Sequence, residues 1–194
     1  MLRSSVSPRS GGFTLIEVLV TLLIIAIGLL GLAGLQITSL KNQMETYQRA
    51  QALLLVEDMV NRIRVNAIAA RSLTAYPNET TYGQLDSDEI DAICPDPSSA
   101  TIAQNDRCQW NDLLAGSDVT LGTDSQGSVM GALGCIDIVD ANSYEEVVIR
   151  VTVAWQGSVA TKKPQSDCGA NQYGSDDSFR RAVSMDVVLA DLSL

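Results

Sequence analysis

The sequence predicts an α+β protein in which one long N-terminal α-helix packs against a C-terminal antiparallel β-sheet. Three observations support this prediction. Residues 18–40 carry no charge, no Gly or Pro interrupts residues 35–76, and apolar residues alternate with polar ones in the last third of the chain. With 194 residues and 46% hydrophobic content, the chain is long enough to bury one core. We therefore expect one domain after an N-terminal segment.

The first twelve residues are short and basic, and a long apolar run begins abruptly at Phe13. A secretory signal normally loses its apolar region because cleavage follows that region at a small-residue site. No such site follows the apolar run here. We therefore expect residues 1–12 to be a cleaved leader and the apolar segment to stay with the protein.

Residues 13–37 are long enough to cross a membrane as a helix, at about 1.5 Å per residue against a hydrocarbon core of about 30 Å. Arg3 and Arg9 precede the run, and most of the acidic residues follow it. Basic residues stay on the cytoplasmic side of a membrane. These features predict a single-pass protein with a periplasmic or extracellular C-terminal domain; the periplasm is our expectation.

Glu17 is an ionisable residue inside the apolar run. A carboxylate at such a place costs about 2.5 kcal/mol or more unless it is neutralised, paired or close to the interface. Cleavage between Gly12 and Phe13 would create an α-amine one helical turn from Glu17. In a bundle of parallel helices, a neighbouring copy could present that amine to Glu17 and remove both buried charges together. The alternative is a generic signal anchor with a Glu near the interface.

The string from Gly12 to Glu17, GFTLIE, resembles the class III signal of type IV pilins and pseudopilins. The resemblance implies the type IV pilin fold, cleavage after Gly12 by the prepilin peptidase, N-methylation of Phe13 and a role for Glu17 in subunit register. It also implies a protein of the bacterial inner membrane that later enters the pilus at the cell surface.

Residues 27–36, IGLLGLAGLQ, are similar to the minor pilins called PilV, the type IV pilus modification proteins. Gly34 stands where major pilins commonly carry a helix-kinking Pro. The resemblance implies a part in pilus assembly or priming, with other minor pilins, the major pilin, the inner-membrane assembly platform, membrane lipid and a tip adhesin as partners. The alternatives are a minor pseudopilin of a type II secretion system and a pilus-associated adhesin module.

Gly28, Gly31 and Gly34 are spaced three residues apart, so they lie on one side of the helix and would let neighbouring backbones approach closely. Gly is also simply common in membrane helices, which is the alternative interpretation.

Residues 38–70 continue as the exposed half of the same helix. Apolar residues at steps of three and four predict the face against which the sheet packs, and mixed charges predict a solvated surface elsewhere. The predicted core face comprises Leu53, Val56, Val60, Ile63 and Ala67. The charges are Lys41, Glu45, Arg49, Glu57, Asp58, Arg62 and Arg64.

Residues 71–127 are turn-rich and acidic and form the connecting region, with a short helix predicted over residues 104–115 and Trp110 as its core anchor. Residues 128–194 are the predicted sheet region. Its strands are expected over residues 134–139, 144–155 and 179–192, with residues 140–143 as a turn.

The four cysteines all follow the apolar segment, and none forms a CxxC pair. In an exported domain an even number indicates disulfides, and four cysteines allow three connectivities. We favour Cys94 with Cys108, which closes a short loop, and Cys135 with Cys168, which joins the first strand to a loop before the last one. Zinc is the alternative, but the chain has no His and the spacings are wide.

Composition and motifs exclude several functions. The formal charge is −10, and loss of Arg3 and Arg9 would leave −12, so a nucleic acid partner is not expected. Without His there is no Ser-His or Cys-His nucleophile, and no cofactor or enzyme motif is recognisable. Acidic pairs such as Asp176 and Asp177 are expected to be solvated turn charges. The acidic residues 86–89 lack the glycine of a calcium loop.

Overall fold

The structure is a computed structural model that describes residues 12–77, 81–84, 90, 93–96, 98–116, 120–121, 124–125, 129–141 and 146–190. The chain divides into two compact units, Met1–Gln43 and Met44–Leu194. Most of the predicted leader, residues 1–11, lies outside the described residues, and so do the acidic residues 86–89.

The helices are α1 (Leu15–Val65), α2 (Ala67–Ala70) and α3 (Ile102–Ala115). The strands are β1 (Thr81–Tyr82), β2 (Thr120–Leu121), β3 (Asp124–Ser125), β4 (Leu133–Asp140), β5 (Glu146–Gln156) and β6 (Arg180–Ala190). The α+β architecture is confirmed, with the second half of α1 packed against a four-stranded antiparallel sheet.

Helix α1 is uninterrupted over 51 residues because strong helix formers dominate its sequence and no Pro occurs in it. Only Asn66 separates the end of α1 from the start of α2, and its amide still donates to the carbonyl of Arg62. The predicted helix to residue 70 is therefore a long helix followed by one short additional turn.

The buried face of α1 is broader than the sequence pattern indicated. Its buried residues are Gln48, Ala52, Leu55, Val56, Met59, Val60 and Ile63. Leu53, which was predicted to lie in the core, is 37% exposed, and Ala67 is only partly buried. The buried positions differ from the predicted ones because both the sheet and α3 pack on this helix. Adjacent residues such as Leu55 and Val56 are therefore buried together.

The main sheet has the order β1-β4-β5-β6, with every pair antiparallel. Strands β5 and β6 pair without a shift from Glu146 with Ala190 to Gln156 with Arg180. Strands β4 and β5 pair from Leu133 with Ala154, with a register shift between Ile138 and Asp140. The sequence analysis did not foresee β1 or the small β2-β3 pair, because two-residue strands leave no alternation to detect.

Helix α3 is capped at both ends. The Thr101 hydroxyl accepts from the Gln104 amide in a capping box, and Gly116 ends the helix in the left-handed conformation at φ 78°. As predicted, Trp110 is a core anchor: it is fully buried, and its indole Nε1 donates to the Leu55 carbonyl at 2.9 Å. This bond ties α3 to α1 through a backbone group of α1.

The outer face of the sheet carries a second, smaller core. It contains Leu133, Cys135, Ala154, Cys168 and Tyr173. The Tyr173 hydroxyl donates to the Gly131 carbonyl at 2.6 Å and also lies 3.1 Å from the Ala154 carbonyl oxygen. The loop between β5 and β6 is thereby anchored across the sheet.

Asp177 is not a solvated turn charge, which corrects the expectation from the sequence. It is 7% exposed, its carboxylate accepts from the Asn171 amide at 2.9 and 3.0 Å, and it faces the buried Arg180 guanidinium at 3.4 Å. Arg180 in turn donates to the carbonyls of Ser166 and Cys168. A buried charge requires such partners, so this ion pair organises the loop from inside.

The position of Met59 gives a test of the core. Met59 is fully buried and Met44, on the same helix, is 56% exposed. We expect Met59→Ala to lower the free energy of unfolding of the full chain in detergent by about 2–5 kcal/mol, because it leaves a cavity. Met44→Ala should change it by no more than about 0.5 kcal/mol. Equal effects in denaturant titrations followed by circular dichroism would contradict this packing.

Candidate processing and assembly site

The bond expected to be cleaved lies immediately before the start of α1. Gly12, Phe13 and Thr14 have no regular secondary structure, and the Thr14 carbonyl accepts the first helical hydrogen bonds, from the amides of Glu17 at 3.1 Å and Val18 at 3.4 Å. Phe13 is 86% exposed. The Gly12–Phe13 bond is therefore accessible and free of helical hydrogen bonding, as a protease substrate must be.

Glu17 lies in the first turn of α1. A carboxylate there is favoured by the positive end of the helix dipole. This interaction with the helix dipole gives Glu17 a reason to occupy the helix start in addition to any pairing between subunits, and it was not predicted from the sequence.

The first half of α1 has no apolar cover from its own chain. Every large apolar side chain from Phe13 to Leu40 is at least 46% exposed. This helix contains a segment near the N-terminus that is long and apolar enough to cross a membrane. A surface of this kind must be covered by lipid or by other protein helices.

The three helical glycines have no packing role inside the chain. A Cβ added at Gly28, Gly31 or Gly34 would meet no atom within 4 Å beyond the adjacent helix backbone. Each Gly nevertheless weakens a helix by about 1 kcal/mol relative to Ala in water. Contacts within the described part of the chain therefore do not explain these glycines, and their role in assembly stays a prediction.

Both disulfides that the sequence analysis favoured are present. Cys94 and Cys108 join the connecting region to α3, and Cys135 and Cys168 join β4 to the loop before β6. Their Cα atoms are 5.0 and 5.8 Å apart. No cluster of three or more metal-ligating side chains occurs in the described ranges.

A polar clamp, formed by Glu45, Ser158 and Arg181, holds the start of the buried half of α1. Glu45 Oε1 accepts from Arg181 Nε at 2.5 Å, and Glu45 Oε2 lies 3.1 Å from both the amide and the hydroxyl of Ser158. Arg181 also donates to the Val159 carbonyl at 2.6 Å. The sequence pattern predicted a solvated Glu45, and it missed the clamp because the partners lie 113 and 136 residues away.

Arg62 also departs from the expected solvated face. Its guanidinium donates to Asp58 on α1 at 2.7 Å and to Gln109 on α3 at 2.7 Å. Asp106 accepts from the Tyr76 hydroxyl at 2.7 Å, and burial together with that hydrogen bond raises the pKa of Tyr76 well above its usual range. These bonds reinforce the contact of α3 with the end of α1.

The aromatic residues of the connecting region do not form a ligand platform. Tyr76, Tyr82 and Trp110 are the only Trp and Tyr residues in the segment 76–126, and none is more than 1% exposed. Tyr82 and Trp110 pack with their ring centroids 5.4 Å apart. The exposed aromatic cluster that an adhesin module would favour is therefore not present in this segment.

Two known families match adjacent parts of the chain. Residues 7–33 match the prokaryotic N-terminal methylation motif, and residues 34–113 match the family described as type IV pilin Tt1218. Together the two matches run from residue 7 to residue 113, across the leader, α1 and most of α3. Over residues 34–113 the chain is therefore similar to type IV pilins. No curated protein and no solved structure matches it.

The match to the N-terminal methylation motif covers the residues at the start of the chain. It spans Gly12, Phe13, Glu17 and the glycines Gly28 and Gly31, and Gly34 is the first residue of the match to the type IV pilin family.

The clamp predicts a dependence of stability on pH. Burial acts to raise the pKa of the Glu45 carboxyl, but hydrogen bonds from Ser158 and Arg181 and the charge of Arg181 outweigh it, so the pKa is lowered. Because the folded pKa is depressed, the stabilisation is fully present above the unfolded pKa of about 4.3 and disappears as the pH falls through the folded value.

We therefore expect Glu45→Gln to lower the melting temperature at pH 7 by about 2–4 °C, equivalent to about 1 kcal/mol. The difference from the parent should vanish at a pH below the folded pKa. Glu57→Gln, an exposed site on the same helix, is the control. A deficit that is independent of pH in thermal melts would show that the clamp does not depend on the carboxylate charge.

Proposed function

We propose that this protein is a minor pilin of the PilV type that takes part in assembly or priming of a type IV pilus. The prepilin peptidase cleaves it between Gly12 and Phe13, and Phe13 is then N-methylated. The mature protein stands in the bacterial inner membrane with its C-terminal domain in the periplasm and then enters the pilus.

The observation that carries the proposal is the uncovered first half of α1, which combines an accessible Gly12–Phe13 bond, Glu17 in the first turn and glycines with open space around them. A generic membrane anchor requires only the apolar length. It has no need for a carboxylate in the first turn or for a row of Gly that weakens the helix.

Cleavage would give Glu17 a partner. The new α-amine of Phe13 carries a positive charge, and a neighbouring subunit displaced along the helix bundle brings that amine to Glu17. Each group alone is costly in an apolar environment, and the pair removes both costs when its geometry is good. The interaction would therefore favour one axial register between adjacent subunits.

The glycines fit the same arrangement. Gly28, Gly31 and Gly34 reduce the width of one side of the helix, so the helix of another subunit can approach closely. Gly34 occupies the position at which major pilins commonly have Pro, and α1 runs through it without a break. This difference favours a minor subunit over the subunit that forms the bulk of the filament.

The partners that follow are the prepilin peptidase, other minor pilins, the major pilin, membrane lipid, the inner-membrane assembly platform and a tip adhesin. The related alternative is a minor pseudopilin of a type II secretion system, which shares the signal and the fold. The similarity over residues 27–36 favours the pilus.

Substitution of Glu17 tests the proposal. We expect Glu17→Ala to leave the folding of the body unchanged and to reduce the amount of this protein in sheared filaments or minor pilin complexes about tenfold or more, since loss of one partner of a buried pair costs several kcal/mol. Glu57→Ala removes a carboxylate from an exposed part of the same helix and should assemble normally.

The readouts are immunoblots of sheared pili, co-purifying pilins and secreted enzymes in the same strains. Normal incorporation of Glu17→Ala would contradict the charge-pairing account. Loss of secreted enzymes with intact pili would instead assign the chain to a secretion system.

A further inference from the structure

Strand β6 is a long edge strand with one side open. It pairs with β5 along its whole length, from Arg180 to Ala190, and no other described strand pairs with it. Such an edge presents a row of backbone donors and acceptors that another strand can bind.

The hydrogen-bond pattern identifies the groups on this edge. The amide of Gln156 donates to Met130 on the β4 side, and the amide of Gly157 donates to Phe179 on the β6 side. Gly157 and Phe179 face each other, so this bond makes them a hydrogen-bonded pair. Hydrogen-bonded and non-bonded pairs alternate along an antiparallel ladder, and the odd-numbered residues of β6 therefore bond to β5. The backbone groups of even-numbered residues, from Ala182 to Val188, therefore face the open edge.

The open segment has a defined start. The Thr161 amide donates to the Ser178 carbonyl at 2.7 Å, on the side of the strand that faces away from β5. Within the described part of the chain, no backbone hydrogen bond reaches the outward-facing groups of residues 182–188. Seven residues of the edge are therefore open.

The usual protections of an edge strand are missing from residues 182–188. They include no Pro, no Lys and no register shift. The one charge, Asp186, is held by Arg150 through two bonds of 2.7 and 2.8 Å. Val183 and Met185 pack against the core but remain only partly buried, and Val188 is 58% exposed. An added strand with apolar residues at alternate positions would complete the cover of Val183 and Met185.

We propose that residues 182–188 bind an extended strand of a neighbouring pilin subunit, which continues the sheet. This inference rests on the proposed role as a filament subunit and adds a second contact, distinct from the helix. The partner strand runs antiparallel to β6, has apolar residues at alternate positions and belongs to a different pilin.

Geometry excludes β6 of a second copy as the partner strand. The twofold axis that pairs two β6 strands stands perpendicular to the sheet, so the helix segments packed on the two sheets would run in opposite directions. Two copies that enter one membrane in the same orientation have parallel helices. The opposite edge strand, β1, does run antiparallel to β6, but its described part has only two residues.

Crosslinking in cells tests the proposal. The photoreactive residue benzoylphenylalanine replaces Val188 in the full chain, produced together with the pilins of its own cell, and crosslinked peptides are identified by mass spectrometry. Val159, which is 53% exposed in a loop, provides the control position. We expect Val188, and not Val159, to crosslink to an edge strand of another pilin. No crosslink, a crosslink only to a second copy, or the same crosslink from both positions would overturn the proposal.

Two variants provide an independent readout. Val188→Pro removes one outward-facing amide without affecting the bonds to β5, and Val188→Ala keeps the amide. Both should keep a melting temperature within about 2 °C of the parent. In pull-downs of the Val188→Pro variant, we expect about tenfold less of the pilin that the crosslinking identifies. Pull-downs of the Val188→Ala variant should contain the normal amount.

Equal recovery by Val188→Pro and the parent would overturn the strand contact. If Glu17→Ala is incorporated normally while Val188→Pro loses its partner, only the proposed pairing of Glu17 is contradicted. If Glu17→Ala is not incorporated while Val188→Pro keeps its partner, only the proposed strand contact of β6 is contradicted.

Discussion

The first half of α1 finds no apolar partner in its own chain, and this constraint determines how the rest of the protein must work. Its large apolar side chains between Phe13 and Leu40 are 46% to 86% exposed. Leaving such a surface in water costs about 25 cal/mol per Å², so lipid or neighbouring helices have to cover it at every stage. Gly28, Gly31 and Gly34 lie on the same helix segment, and a Cβ added at any of them would meet no atom within 4 Å.

The body of the protein is built so that it does not need the first half of α1. Residues 48–63 of the helix contribute one side of the core, the sheet contributes the other, and Trp110 closes the end through its bond to the Leu55 carbonyl. Two disulfides constrain the connecting region and the outer face of the sheet. The polar clamp joins the start of the buried part of the helix to Ser158, in the loop after β5, and to Arg181, in β6.

The sequence was sufficient to predict the elements with strong periodicity. Helix α1, helix α3 with Trp110, and strands β4 to β6 lie close to their predicted places, because local apolar spacing and the absence of Pro determine them. What could not be predicted depends on long-range partners. Leu53 is exposed because α3 and the sheet share the helix, Asp177 is buried because Arg180 reaches it, and Glu45 is clamped by residues more than 100 positions away. At the N-terminus the predictions come from the sequence motif, and the pairing of Glu17 with another subunit stays a prediction.

The mass of the mature N-terminal peptide tests the central claim most directly. Intact and peptide mass spectrometry of the protein recovered from membranes and from sheared filaments should show a chain that begins at Phe13 and carries one extra methyl group on its α-amine. A chain that still begins at Met1, or one that begins after the apolar segment, would contradict the account that a peptidase removes the leader and leaves the assembly helix in place.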